Sequence, residues 1–199
     1  RGSQEVARDA FPYAFSSTSL TPERVARGGR VTITRSEPHP EMAGRDLSEI
    51  ATEMGLSEAD AAQRLMPAGA LFHGMSEDDV RQVLSHPCCM IGSDGLPFDP
   101  MPHPRLTGSF PRILGRYVRE EDVLKLPEAV RRMTALPAEV FGLTGRGKIA
   151  EGYVADLVLF NANTVGDPDD QPVGIEAVFV AGEPPRRGLG QRLNTARRP

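Results

Sequence analysis

Short apolar runs broken by proline and glycine set the reading of this chain. Val6 to Tyr13 holds a strand-like stretch that stops at Pro12, because proline cannot donate to a sheet ladder. Phe15-Ser16-Ser17-Thr18-Ser19 then reads as a polar loop, and the β-branched Val31-Thr32-Ile33-Thr34 as a strand closed by Pro38 and Pro40. Helical spacing follows. Asp46 stands at an N-cap with Glu49 three residues on, Leu47, Ile50, Ala51 and Met54 share one face, and Gly55 ends the helix. Ser57 caps a second helix with Ala61, Ala62 and Leu65 inward, halted by Pro67. Ser76 caps a third with Val80, Val83 and Leu84 inward, ending at His86-Pro87.

The period changes at Cys88-Cys89-Met90-Ile91, a continuous apolar run of strand length that empties into Gly92-Ser93-Asp94-Gly95. Absence of alternation predicts a strand buried on both faces, as in a parallel sheet, and hence an α/β fold class. Leu96 to Pro111 carries five prolines with Phe98, Met101, Leu106 and Phe110, which predicts an ordered loop. Helices are expected from Pro111 to about Glu120 and from Pro127 to about Thr134, each opened by a proline whose missing N–H costs nothing there. A last turn spans Ala138 to Phe141. After Gly147 the pattern is β: Lys148-Ile149, Ala155 to Phe160 and Ile175 to Val180, with a boundary near residue 145.

Composition narrows the class. The 199 residues carry 27 acidic and 23 basic side chains, so a formal charge of -4 offers no field for nucleic acid or acidic lipid. No apolar run approaches the ~18 residues a membrane span needs, and no signal peptide is evident, so a cytoplasmic location is expected. Cys88 and Cys89, the only cysteines, are adjacent and read as unbridged. The chain opens with Arg1-Gly2-Ser3 and no initiator Met, which suggests processing, a tag or a longer parent.

Asp94 is the foremost chemical candidate, being a carboxylate among glycines just past a buried strand, where α/β folds expose functional groups. Its structural alternative is an Asx-turn. Arg105, eleven residues on in Pro102-His103-Pro104-Arg105, could clamp a carboxylate through two parallel hydrogen bonds or could brace the loop. Ser17 could donate to a ligand or bond local backbone. The four histidines, His39, His73, His86 and His103, form no metal-ligand spacing, and neither a phosphate loop nor a serine nucleophile elbow is present.

From Met90 through Pro102-His103-Pro104-Arg105 to Phe110-Pro111-Arg112-Ile113-Leu114-Gly115, the sequence resembles the zinc-dependent N-acyl-D-amino-acid deacylases of the amidohydrolase superfamily. Asp9 to Tyr13, Ser17-Thr18, Gly44-Arg45-Asp46-Leu47, Lys125 to Thr134 and Gly147 to Phe160 extend the likeness over nearly the whole chain. The resemblance implies the C-terminal portion of a metal-dependent (β/α)8 barrel in residues 1–145, contributing its last two strands, with a helical insertion at about 15–77. Residues 146–199 would be the C-terminal strands of a small β-domain.

It further implies that Asp94 is the general base and acid beside the metal, and a metal-contacting residue itself. Ser17 and Arg105 would hold the substrate's α-carboxylate, and Phe72 and Met75 would line its side-chain pocket. Phe11 departs from the Tyr usual in that family. The other zinc ligands, a His-x-His, a Cys and two histidines, would lie before residue 1, so the isolated chain should be inactive and should self-associate through an exposed barrel edge. Two alternatives remain at this point. One is a noncatalytic remnant acting as a binding module; the other is a dihydroorotase- or hydantoinase-like amidohydrolase, which does not account for the Pro-His-Pro-Arg loop.

Overall fold

The computed structural model describes residues 7–96, 101–168 and 171–184. The expectation for Phe98 lies outside them. The described chain divides into two compact units, with boundaries inside two of its helices.

One unit comprises Tyr13–Val80 and Asp94–Leu106. Its sheet joins β2 (Ser16–Ser19), β4 (Ala68–His73) and β3 (Arg30–Ser36), all antiparallel with β4 in the middle. Ser16 stands opposite Phe72 and Ser17 opposite Leu71, while Val31 and Ile33 face Phe72 and Ala70 from the other side. Helices α1 (Pro22–Val25), α2 (Leu47–Met54) and α3 (Glu58–Leu65) add Val25, Leu47, Ile50, Ala61, Ala62 and Leu65 to a core with Leu20, Val31, Ile33 and Ala70. Each fully buried Leu or Ile there contributes ~1.5–3 kcal/mol of transfer free energy.

The stretch from Tyr13 to Val80 thus carries the expected helices at Leu47–Met54 and Glu58–Leu65 and the expected strand at Val31–Thr34, which is the edge of a three-stranded sheet whose other two strands the residue pattern did not reveal. Ser16–Ser19 was expected to be loop and is strand. Three serines have little strand propensity of their own and Thr18 alone favours one, so pairing with β4 holds the segment extended. The caps follow the sequence closely. Gly55 takes a left-handed φ of 65° at the end of α2, and the Ser57 hydroxyl accepts the Asp60 N–H at the start of α3. Ser76 and Asp79 bond each other reciprocally ahead of α4 (Glu77–Ser85). Asp46 occupies the N-cap position of α2 without capping it, because its carboxylate is taken by Arg30 and Thr32 instead.

The second unit comprises Arg1–Pro12, Arg81–Ser93 and Thr107–Pro199. Here β1 (Arg8–Ala10) and β5 (Cys89–Ile91) run parallel, with Arg8, Asp9 and Ala10 opposite Cys89, Met90 and Ile91. All three β5 residues are buried, as an unalternating run requires. Helix α6 (Leu126–Met133) is joined to the turn before β5 by Arg132, which is 4% exposed and donates to the carbonyls of Leu84 and His86 at 2.5 and 2.8 Å.

Three expectations fail in the stretch around these elements, the first being the loop expected from Leu96 to Pro111, which is helix from Arg105 on. Pro111 does not open a helix: α5 (Arg105–Arg112) already contains it and continues as a π-helix over Ile113–Glu120. The ladder loses its donor at Pro111, and the chain widens to the i to i-5 bond from Glu121 N–H to Arg116 O. Lys148-Ile149 is not a strand, since glycines 145, 147 and 152 hold left-handed φ and keep the chain turning. Helix α7 (Ala135–Val140) precedes this stretch, and β6 (Leu157–Phe160) and β7 (Ile175–Phe179) pair antiparallel after it.

Candidate active site

Because β1 and β5 are parallel, their C-terminal ends leave the sheet at one edge. Past Ile91 the Gly92 N–H still bonds Ala10 O at 3.1 Å. Asp94 has a φ of +47°, a left-handed conformation that Asp tolerates better than most side chains. A Cβ on Gly95 would stand 2.9 Å from the Leu106 backbone, so only glycine fits there. Gly-Ser-Asp-Gly is therefore an irregular loop whose left-handed backbone at Asp94 and close approach at Gly95 present Asp94. Its side chain is 63% exposed.

Arg105 is the counterpart. Its side chain is only 3% exposed, and one guanidinium nitrogen, Nη2, lies 2.7 Å from Asp94 Oδ2. The same guanidinium donates from Nε to the Asp94 carbonyl at 2.9 Å and from Nη2 to the Ser17 carbonyl at 3.3 Å. Burial lowers the Arg105 pKa and the Asp94 charge opposes that shift; a guanidinium remains cationic at neutral pH regardless. Sequence reasoning offered a carboxylate clamp or a loop brace, and in the structure the brace contacts are plainly made.

Ser17 is joined to this pair through its backbone carbonyl, with β2 supplying the rigid support. Phe72, across the sheet from Ser16, is half-buried and packs against the hydrophobic core of its unit. Met75 is 46% exposed and anchored by its N–H to the Ala14 carbonyl at 3.2 Å. Asp94, Arg105, Ser17, Phe72 and Met75 all belong to the Tyr13–Leu106 unit, whereas Phe11 falls in the other.

Two histidines to which the sequence assigned no role stand within this unit. His103 is 5% exposed, stacks on Phe15 at a centroid distance of 4.3 Å and meets Tyr13 in a T-shaped contact at 5.1 Å. Burial pushes its pKa down from 6.5 to about 4, so the ring is neutral at physiological pH. His73 stacks on Phe15 as well, at 5.1 Å. Its Nε2 lies 3.3 Å from the Thr32 hydroxyl, which donates to Asp46, and Asp46 also accepts from Arg30. Desolvation, then the Arg30 charge, lowers the His73 pKa. The signal for such a cluster was faint: a lone Phe15 in a polar stretch and a histidine between prolines.

Among the described residues, no group of three or more His, Cys, Asp or Glu side chains is placed to hold a metal ion. Cys88 and Cys89 are free, the first exposed and the second buried. Burial raises the Cys89 pKa, which disfavours the thiolate that a metal would need.

Residues 4–184 match the family model described as the amidohydrolase family. The chain is 53% identical over 184 residues to N-acyl-D-glutamate deacylase of Alcaligenes xylosoxydans xylosoxydans, a match covering 89% of this chain and 38% of that protein. D-aminoacylase of the same organism is 48% identical over 187 residues, covering 91% of this chain and 39% of the relative. The crystal structure of N-acyl-D-glutamate deacylase from Bordetella bronchiseptica, complexed with zinc and a phosphonate mimic of the tetrahedral intermediate, superposes with a TM-score of 0.87. It is 50% identical, over 90% of this chain and 39% of that one. A D-aminoacylase crystal structure matches at a TM-score of 0.88 and 48% identity, over 92% and 40%. The chain therefore spans less than two fifths of the length of the first two relatives.

Proposed function

The chain belongs to the amidohydrolase family, and from that premise we propose that it is the C-terminal portion of a metal-dependent N-acyl-D-amino-acid deacylase. The reaction is hydrolysis of the amide bond to a carboxylate and a free D-amino acid. The observation that carries this reading is Asp94 itself: a 63% exposed carboxylate on a left-handed backbone, its position fixed by a guanidinium that is almost wholly buried. A general base needs an accessible oxygen and a fixed location, and this arrangement supplies both.

In the proposed mechanism Asp94 accepts a proton from the attacking water as oxygen bonds to the amide carbon. It returns that proton to the nitrogen as the carbon–nitrogen bond breaks. Arg105 has two parts to play. It holds Asp94, and its positive charge allows the substrate's α-carboxylate to approach a site that already contains an anion. Since the guanidinium is tied to Asp94 and Ser17 without substrate, little reorganisation is needed on binding. Ser17 contributes the β2 carbonyl that helps aim Arg105, and Phe72 and Met75 are proposed as apolar neighbours of the substrate side chain.

Zinc is named with the Bordetella deacylase, and we propose it as the metal of the complete enzyme. The described residues do not by themselves fit it, because Asp94 is one carboxylate and no three-ligand group accompanies it. No step is therefore assigned to the metal here. In the same reading β1 and β5 are neighbouring strands of a (β/α)8 barrel, and the unit containing β6 and β7 includes strands of a small β-domain. The isolated chain would then be inactive and would self-associate along the open edges of β1 and β5, which among the described strands pair only with each other. Among the described residues no helix is long and apolar enough to cross a membrane. A cytoplasmic location is proposed with this, which the two free cysteines suit.

The test is release of D-amino acid from N-acetyl-D-amino acids by the complete zinc-loaded enzyme and its Asp94→Asn variant. Hydrolysis by the wild type that collapses in the variant is the expected result. A wild type that releases none of them, or an Asn variant with full turnover, overturns the proposal.

A further inference from the structure

We propose that His103 is a positioning residue: one neutral tautomer of its imidazole ties the backbone of Phe15 to that of Arg105 and so sets where the Arg105 guanidinium lies against Asp94 and Ser17. This rests on the reading of Arg105 as the clamp for the substrate carboxylate.

The two bonds fix the tautomer without ambiguity. His103 Nε2 lies 2.8 Å from the Phe15 carbonyl, which can only accept, so Nε2 carries the proton. His103 Nδ1 lies 3.0 Å from the Arg105 backbone nitrogen, which can only donate, so Nδ1 is the acceptor. A ring protonated on both nitrogens would oppose one N–H to another. The same Nδ1 contact opens α5, since the ring accepts one of the amide hydrogens a helix leaves unpaired at its start.

The location gives these bonds their consequence. Phe15 is two residues before Ser17, whose carbonyl receives Arg105 Nη2, and Arg105 is the first residue of α5. A single imidazole therefore joins the strand that carries one guanidinium contact to the helix that carries the guanidinium. Phe15 stacks on the ring and Tyr13 meets it in a T-shaped contact, so it is pinned by packing as well as by hydrogen bonds. A merely structural histidine would be expected to affect folding alone. One in this place should affect recognition of the carboxylate.

Three substitutions in the complete enzyme separate these roles. His103→Asn puts Oδ1 close to the place of Nδ1 and keeps the acceptor for Arg105. His103→Gln reaches instead toward the place of Nε2 and keeps the donor to Phe15. His103→Phe keeps the stacking and loses both bonds. KM and kcat are measured on an N-acetyl-D-amino acid and on its α-carboxamide analogue, with unfolding midpoints recorded alongside.

His103→Phe should raise KM for the acid about tenfold and for the amide less than about threefold, the size expected for one weakened charge-assisted hydrogen bond. His103→Asn and His103→Gln each cut one end of the tie, so both should also raise KM for the acid more than for the amide. Equal effects on acid and amide, or an Asn or Gln variant with the wild-type KM for the acid, overturns the proposal; should the Phe variant not fold, the Asn and Gln pair decides it. If the wild type itself does not distinguish acid from amide, the clamp reading of Arg105 fails separately. The 15N resonance of the Arg105 Nε–H then decides for His103: a shift in His103→Gln relative to wild type supports positioning, and an unchanged resonance refutes it.

Discussion

Arg105→Ala tests the core of the site, and its size can be worked from the contacts. The side chain donates to two backbone carbonyls, Asp94 O at 2.9 Å and Ser17 O at 3.3 Å, from a position only 3% exposed. Hydrogen bonds from a charged donor contribute ~1.5–3 kcal/mol each, so their joint loss costs roughly 3–6 kcal/mol at most. The ion pair to Asp94 adds only ~0–1 kcal/mol, because that carboxylate is 63% exposed and screened by water. Such a loss is a sizeable part of a net stability of ~5–15 kcal/mol, so the unfolding midpoint of the variant has to be measured first. Substrate recognition is a separate quantity. A charge-assisted contact to the α-carboxylate worth ~1.5–3 kcal/mol corresponds to a ten- to hundredfold rise in KM, present for the acid and absent for its carboxamide analogue.

Arg105→Lys provides the control that keeps the charge. An ammonium cannot reproduce the planar fork, so KM should rise by a smaller factor, about three- to tenfold, with better folding than Ala. The assay is steady-state release of D-amino acid by the complete enzyme, on acid and amide substrates in parallel, with the L-enantiomers included. Preference for D over L should weaken with the clamp. Equal losses on acid and amide would show that Arg105 only braces the loop at Asp94, and the clamp would have to be abandoned.

Asp94→Asn should lower kcat by roughly two to four decades with bound metal unchanged by elemental analysis, the span of a positioned general acid and base. Gly95→Ala should also reduce kcat, through displacement of the loop at Asp94, because the added Cβ would meet the Leu106 backbone at 2.9 Å; unchanged turnover would contradict the loop's role. Burial lowers the His103 pKa from 6.5 to about 4, so the unfolded chain takes up that proton first. Stability from this group is full above pH 6.5 and is lost as pH falls toward 4, a loss that His103→Asn should remove from the pH dependence of the unfolding midpoint. Glu128, held at about 2 instead of 4.5 by Arg131 and then Arg132, acts in a lower window. Its folded pKa is depressed, so its contribution is present above pH 4.5 and fades as pH falls toward 2; Glu128→Gln should flatten that portion of the curve and leave the range from about 5 to 6.5 untouched.

Local chemistry was legible in the residues themselves. Gly55, Ser57 and Ser76 mark helix ends because a cap acts over three or four residues, and the β5 run declares its burial because no polar residue interrupts it. The Gly-Ser-Asp-Gly segment pointed to Asp94 for the same reason, since a left-handed backbone and a close approach are properties of a few consecutive residues. Long-range partners decided the rest. Ser16–Ser19 became a strand only because β4, some fifty residues away, pairs with it, and Asp46 left its own helix N-terminus for Arg30 and Thr32. Helix α5 begins at Arg105, ahead of Pro111, because a histidine ring supplies the acceptor there. That ring is bonded to Phe15, 88 positions earlier in the chain, and no pattern of spacing encodes such a bond. Propensity and periodicity report on neighbours along the chain, while a buried imidazole or guanidinium is satisfied by whatever the fold brings within ~3 Å.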